Sequence, residues 1–353
     1  MRVDRARLEA FVERAFGDVG AAMTASLVVL GDRLGLYRAL ASNGPSTSAE
    51  LAALTGTSER HVREWLRAQA AAFYVDYDHA SGRYGLSPEQ AAVFADDSGT
   101  ACMLGGFQLA VAAGRAVDRL EDSFRSGAGL GWHEHDRGVS EGTARFFRPA
   151  YATHLVGTWI PSLGGVAERL ERGARVADVG CGHGVSTMLM ARAFPASTFT
   201  GFDDHEPSIG AANRAAHAAG LAGRCRFEAR GAKDFPLEGW DLVAFLDCLH
   251  DMGDPVGALR HARRALADGG TVMVVEPRAG DAVTDNLTPV GRVYYAASAL
   301  VCTPASLAQE VGAALGAQAG ESRLGEVFAA AGFGHVRKAA ETRHHMVLEA
   351  RTT

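Results

Sequence analysis

Lysine is almost missing from this sequence: of 35 Lys and Arg residues, only Lys233 and Lys338 are lysines. With abundant Ala and Gly, that bias is the coding habit of a GC-rich genome and carries no chemistry. Positive charge is not in excess either. A formal net charge of −6 and a pI near 6.1 exclude a chain-wide nucleic-acid-binding surface. The five cysteines (Cys102, Cys181, Cys225, Cys248, Cys302) are scattered, odd in number and without a Cys-x-x-Cys pair. That excludes a disulfide framework and a zinc knuckle, and reduced thiols in a cytoplasmic protein are the simplest expectation. No stretch reaches about 18 uninterrupted apolar residues, so no membrane-spanning helix is expected. The opening MRVDRARLEAFVERAFGD is charged from the start and lacks the apolar core of a secretory signal. Internal repeats and low-complexity tracts are absent.

What remains is a chain of 353 residues, 47% hydrophobic and 22% charged. It is too long for one typical domain and suits about two, at roughly 100–200 residues each. Residues 19–40 are mostly apolar, with only Asp32, Arg33 and Arg38 charged. A helix apolar nearly all round wants burial on several sides, from its own domain or from a partner subunit. Residues 48–56 and 57–66 read as two short helices, each opened by Ser or Thr. Residues 73–78 and 83–86 alternate around a polar turn, so the region reads as a winged helix. Residues 100–172 look helical, broken by a Gly-rich charged loop at 126–142. From Gly173 the pattern becomes strand–helix alternation, with strands expected at 175–179, 197–202, 224–228, 242–246 and 271–275. Two further strand-like runs, 336–339 and 345–349, close the chain. This predicts an α/β fold with a doubly wound, mostly parallel sheet.

The most informative stretch is Val176-Ala-Asp-Val-Gly-Cys-Gly-His-Gly184. A strand delivers the chain to a tight turn whose glycines let backbone approach a ligand. The following helix points its N-terminus at that ligand. No Gly-Lys-Ser/Thr follows, so it is not a nucleoside-triphosphate loop. Asp178 stands two residues before the first glycine, and Asp203 ends the next strand about 20 residues on, where an acid can take both ribose hydroxyls.

Asp178-x-Gly180-x-Gly182-x-Gly184 with Gly201-Phe-Asp203 resembles the class I S-adenosylmethionine-dependent methyltransferases. The resemblance covers about residues 173–353. The winged-helix segment and Leu246-Asp-Cys-Leu-His-Asp-Met-Gly-Asp254 are similar to bacterial small-molecule O-methyltransferases, in an actinobacterial branch. The resemblance implies a seven-stranded Rossmann-like sheet behind a dimerising winged helix. It implies S-adenosyl-L-methionine as cofactor, S-adenosyl-L-homocysteine as product and a small-molecule acceptor. Gly180, Gly182 and Gly184 would hug the methionine portion, Asp178 would organise its amino group, and Asp203 would take the ribose. The family's Gly-Asp-Ala after strand three reads Arg230-Gly-Ala-Lys-Asp-Phe235 here, so the resemblance implies an adenine contact from Ala232, Lys233 or Asp234. Asp247 follows strand four on the ligand side of the sheet. His250 matches the histidine that takes a proton from the acceptor hydroxyl. Imidazole suits that work at neutral pH. The family's Trp is Met252 here.

Each position also has a plainer reading. His250 can cap a helix, and Asp203 can be an N-cap. His133-x-His135 can hold a metal but reads better as a solvated loop, so no metal is expected. His344-His345 reads as surface. Trp132, Phe147, Tyr151 and Tyr295 are the aromatic candidates for a substrate pocket, and core packing explains any one of them. Arg60, His61, Arg63 and Arg67 recur on one helix as if to face phosphates, yet Glu59 and Glu64 interleave with them. The expected organisation is a dimerising winged-helix domain at 1–99, a helical substrate cover at 100–172 and a cofactor-binding catalytic domain at 173–353. The expected function is methyl transfer to a small-molecule hydroxyl with His250 as general base, in a cytoplasmic homodimer without membrane or nucleic-acid partners. Two alternatives stay open: a winged-helix regulator sensing a ligand through the methyltransferase fold, and a C-, N- or S-methyltransferase that needs no base.

Overall fold

A computed structural model describes residues 3–352, which fall into two compact units divided between Val111 and Ala112. In the first unit, α1 (Arg5–Arg33) starts at Asp4, whose carboxylate accepts the Arg7 N–H. The helix expected over 19–40 is two helices, because Gly35 adopts φ 71° and separates α1 from α2 (Leu36–Asn43). α3 (Ser48–Thr55) opens with a reciprocal Thr47–Glu50 capping box and stops at Gly56. α4 (Glu59–Ala71) leads to the short hairpin β1 (Asp76–Asp78) and β2 (Arg83–Gly85), with Tyr77 opposite Tyr84. Val28, Leu36, Leu40, Leu51, Trp65 and Leu66 form the unit's core. A Cβ on Gly31 would lie 2.4 Å from the Trp65 ring, so α1 and α4 meet where a side chain is missing. Leu104 and Phe107 pack into the same core, which carries this unit past residue 99.

Most of α1 is not covered by its own unit. Leu8, Val12, Phe16, Val19, Met23 and Leu30 are exposed at steps of three, four or seven residues. By length and composition alone α1 would be able to cross a membrane, with 17% of its most apolar window buried. The expectation from uninterrupted runs misses this helix because isolated charges punctuate it.

The second unit holds a seven-stranded sheet in the order β5-β4-β3-β6-β7-β9-β8. Its strands are β3 (Arg175–Val179), β4 (Thr198–Asp203), β5 (Cys225–Ala229), β6 (Trp240–Leu246), β7 (Leu266–Pro277), β8 (His335–Glu341) and β9 (His345–Arg351). β3 to β7 run parallel, and β9 lies antiparallel between β7 and β8. β6 is buried along nearly its whole length, as a central strand covered on both faces must be. Two apolar clusters cover the faces: one around Trp159, Met190 and Phe199, the other around Phe245, Leu259 and Phe328. The loop expected over 126–142 already turns helical at Gly138, where a helix begins that runs to His154.

Candidate active site

β3 pairs with β4 on one side and β6 on the other, so the chain's direction of winding reverses beside β3. Ligands in open α/β sheets bind outside the strand ends at such a point. There the glycine loop turns with φ of 73° at Gly180, 51° at Gly182 and 72° at Gly184. Two of these glycines are required by packing. A Cβ on Gly180 would lie 2.6 Å from the Cys248 sulfur, and one on Gly184 2.4 Å from the Phe227 ring. A Cβ on Gly182 would meet nothing within 4 Å, so that glycine leaves open space beside the backbone.

Asp203 ends β4 with both oxygens oriented. One accepts the Gly182 N–H at 2.8 Å and the other the His205 N–H at 2.9 Å. Burial raises its pKa, and those two N–H groups work against the rise. Asp178 sits differently from what its motif position suggests. It is fully buried beneath the loop, does not line the cavity, and accepts the hydroxyls of Ser186 and Thr187 at 2.7 and 2.6 Å. Burial pushes its carboxyl up to about 6, and its second oxygen has no partner.

A cavity of about 400 Å³ opens over these strand ends, within the roughly 300–1,000 Å³ range of small-molecule sites. Gly180, Gly182, Asp203, Ala232, Lys233 and Asp247 all line it. Lys233 is already engaged, since its ammonium pairs with Asp254 at 3.2 Å and Glu310 at 3.0 Å. Trp132, Phe147, Tyr151 and Met252 line the cavity as well. Tyr295 does not. Its hydroxyl accepts from the Asn286 side chain at 3.3 Å, and the helix Pro289–Ala297 turns Tyr294 inward instead.

Asp247 is held unusually. Its φ is 51°, a region costly for a residue with a side chain. The Tyr151 hydroxyl donates to its Oδ2 at 3.0 Å, and His345 Nε2 lies 3.3 Å from the same oxygen. Asp247 Oδ1 is buried without a partner. The expected surface position of His345 is therefore corrected: it is 2% exposed at the start of β9, where strand pairing turns it inward. Burial disfavours its charge, but Asp247 outweighs this and raises its pKa. His135 is likewise buried rather than solvated, and its neighbour Glu134 pairs with Arg119 and caps Gly131.

His250 lies on the short turn Leu249–Asp251 after β6, 4% exposed, and does not line the cavity. Its Nδ1 is hydrogen-bonded to Glu276 Oε2. The other Glu276 oxygen accepts the backbone N–H groups of Leu249 and His250 at 2.9 and 3.3 Å. Cys302 lies beside the imidazole, with one ligand atom each of His250, Asp251 and Cys302 within 4.8 Å of the others. Burial opposes the charged ring, but Glu276 and Cys302 together hold its pKa well above the ordinary histidine value. Asp251, the next residue, does line the cavity, and burial pushes its carboxyl up to about 7. The sequence reading missed Glu276, although an acid closing the apolar run Val272-Met-Val-Val275 was the signal that marks it.

Comparisons with known proteins agree with the fold. Residues 170–332 match the family described as "Methyltransferase domain", and residues 22–96 match "Rv2258c-like winged HTH domain". The 27-O-demethylrifamycin SV methyltransferase of Amycolatopsis mediterranei is 31% identical over 139 residues, which is 37% of this chain and 51% of that protein. The chain thus spans about half the length of that curated relative. Among solved structures, the mitomycin 7-O-methyltransferase MmcR superposes with a TM-score of 0.71 at 21% identity, covering 99% of this chain and 100% of the other. Human N-acetylserotonin methyltransferase, in complex with S-adenosylmethionine, also gives 0.71, at 16% identity over 99% and 98%. At such identities the superpositions establish the fold.

Proposed function

We propose, from a chain built as a methyltransferase domain behind a winged helix-turn-helix domain, that this protein is an S-adenosylmethionine-dependent methyltransferase acting on a small-molecule hydroxyl. The observation that carries the reading is the cavity at the switch point, with Asp203 already oriented by Gly182 and His205. The residues fit the cofactor. Gly182 leaves room for close approach, Asp203 has lone pairs left for ribose hydroxyls, and Ala232 lines the wall beside the β5 loop. The unpartnered Asp247 Oδ1 suits a cation such as the cofactor's ammonium. When bound, S-adenosylmethionine supplies an electrophilic methyl group on a sulfonium.

The chain supplies a place for the acceptor's proton. Glu276 holds Nδ1–H of His250, which leaves Nε2 as the basic nitrogen. An acceptor O–H reaching Nε2 would give its proton there while its oxygen took the methyl group, the methyl–sulfur bond breaking to leave S-adenosylhomocysteine. Because the ring is held charged, this requires the pair to lose a proton first, and the rate rises with pH. One observation favours a second reading: Asp251 faces the cavity and His250 does not. Calorimetry with S-adenosylhomocysteine and methyl transfer to a panel of phenols and alcohols test the function. His250→Ala should lower turnover about 10²–10⁴-fold with cofactor affinity nearly unchanged. A fall under about fivefold, with a large fall in Asp251→Asn, moves the proton to Asp251.

The exposed apolar seam of α1, stepping by three and four residues, supports pairing of two chains through their N-terminal helices. The arginines that might face nucleic acid are engaged: Arg60 and Arg67 pair with Glu64, and Arg63 with Glu59. That pairing supports a structural rather than a DNA-reading winged helix.

A further inference from the structure

His345 has no part in the function proposed above, yet a carboxylate ties it to the cavity. It opens β9, and its pairing with Pro277 sets it beside the end of β7. The Trp159 and Phe147 rings lie 5.2 and 5.9 Å from its own, so apolar walls enclose it. Its Nε2 lies 3.3 Å from Asp247 Oδ2, but neither ring nitrogen makes an aligned hydrogen bond. Charge, not a directed bond, therefore holds the imidazolium against the carboxylate. Oδ2 takes its directed bond from the Tyr151 hydroxyl at 3.0 Å. Asp247 Oδ1 has no partner, and Asp247 lines the cavity.

The groups around this pair leave it to balance itself. Burial raises the pKa of Tyr151 and of Tyr294, which keeps both neutral. Burial lowers that of His154 and of His344, which keeps both uncharged. Glu276 acts on His345 from β7, but His250 already pairs with it. Arg278, the residue after Pro277, pairs with Glu341. A buried carboxylate needs one cation, and a second cation brought beside it meets like charge across a few ångströms. We propose that His345 is the exchangeable counter-cation of Asp247: it neutralises the carboxylate in the absence of cofactor, and gives its proton to solvent when the cofactor's ammonium takes Oδ1. The Nε2–H bond breaks, the proton leaves to buffer, and the neutral ring stays between Trp159 and Phe147. His345 acts through Asp247, so it is a positioning residue. Burial disfavours its charge, but Asp247 outweighs burial and holds its pKa above the ordinary histidine value until the ligand's cation arrives. Between the cofactor-free and cofactor-bound pKa values, affinity rises with pH by at most about tenfold per pH unit, and it levels off above the cofactor-free value. This rests on the cofactor reading above.

The test follows the His345 ring directly, by NMR of full-length protein carrying ¹³C at the histidine Cε1. The His345 signal is identified by its loss in His345→Gln, or by its contacts with the Trp159 ring if that variant does not fold. Without ligand its titration should lie above the ordinary histidine value. Saturating S-adenosylhomocysteine, which carries the ammonium, should lower that midpoint by at least about one pH unit. 5′-Methylthioadenosine keeps the adenosine and the thioether but lacks the ammonium, and it should move the midpoint by less than about 0.3 pH unit. In Asp247→Asn the ring should titrate below the ordinary value, and S-adenosylhomocysteine should leave it there. A ring already neutral below about pH 6.5 without ligand overturns the proposal. So does a midpoint that S-adenosylhomocysteine leaves in place, or one that methylthioadenosine moves equally. Calorimetry on the same samples separates the two levels. Binding of S-adenosylhomocysteine with any of these failures leaves the cofactor reading standing, and absence of that binding removes the reading itself.

Discussion

Glu276→Gln is the sharpest test of how the proposed base is oriented. The carboxylate is 2% exposed and meets three donors: the backbone N–H groups of Leu249 and His250 on one oxygen, and the His250 ring on the other. Glutamine offers one acceptor and one donor. If its carbonyl serves the two N–H groups, its amide faces Nδ1 and forces the proton onto Nε2, the wrong tautomer for a base. If the amide flips, its N–H₂ opposes two backbone donors. The first orientation keeps every group paired but misplaces the proton, and the second leaves buried N–H groups unsatisfied, at a cost of about 1–3 kcal/mol in stability. Turnover should fall by about 10²–10⁴-fold, the scale expected when a base is lost or held in the wrong tautomer. The pH profile gives an independent readout. A base must be unprotonated, so the rate falls as pH drops through the ring's pKa. Burial lowers that pKa, but Glu276 and Cys302 hold it well above the ordinary value, so the wild-type acid limb should sit above about pH 6.5. Without the Glu276 charge, burial counts for more and the limb should move to lower pH. Stopped assays across pH with one accepted phenol, beside a thermal melt, measure all three effects. A variant within about fivefold of wild type, with an unmoved limb, would refute the orienting role.

Asp203→Ala should weaken S-adenosylhomocysteine binding by about 1–3 kcal/mol in calorimetry, because it removes charge-assisted bonds. The two glycine-to-alanine changes should separate. Gly184→Ala places a Cβ 2.4 Å from Phe227 at φ 72°, and it should cost about 2–4 kcal/mol of stability. Gly182→Ala meets open space, so it should cost only about 1–2 kcal/mol of backbone strain while weakening cofactor binding. Light scattering should give twice the 37.1 kDa chain mass, and Phe16→Glu on the exposed seam should shift it toward monomer.

The centre of the sheet was legible because β3, β6 and β7 carry apolar runs too short for a helix, ended by Gly180, Asp247 and Pro277. The strand expected at 175–179 is Arg175–Val179 in the structure, and the ends of the others differ by a few residues. β7 is the exception, extending back to Leu266 through a register shift between Trp240 and Leu242 that local pattern does not reveal. The glycine loop and Asp203 were legible because backbone geometry at a switch point demands them. Tyr294 against Tyr295 was not legible, since adjacent helix positions differ by about 100° of rotation and only the packing partner selects one. Glu276, Cys302 and His345 come from three separate elements, two of them folded against the turn after β6 and the third against Asp247. Contacts of that kind are set by tertiary packing, and no local spacing encodes them.

The positions that break local rules gather in one place. Of the four non-glycine residues with positive φ among the described residues, Asp247 lines the cavity, and Val311 and Ala314 follow the lining residues Gln309 and Glu310. The fourth, Phe73, precedes the hairpin of the other unit. Such backbone costs about 1–3 kcal/mol per residue and persists only where surrounding contacts enforce it. Around Asp247 those contacts are Tyr151 and His345, joined through one carboxylate oxygen while the other is left bare. Unpartnered buried polar atoms also occur elsewhere, at Gln69 and Thr271 for example. The titratable groups among them are His135, Asp178, His183, Asp247, His345 and Glu349, of which His183 and Asp247 line the cavity. A fold selected for stability alone would have paired or replaced them. Asp247 presents an unpaired carboxylate oxygen at the strand end of the switch point, which suits a cationic ligand such as a sulfonium carrying an ammonium.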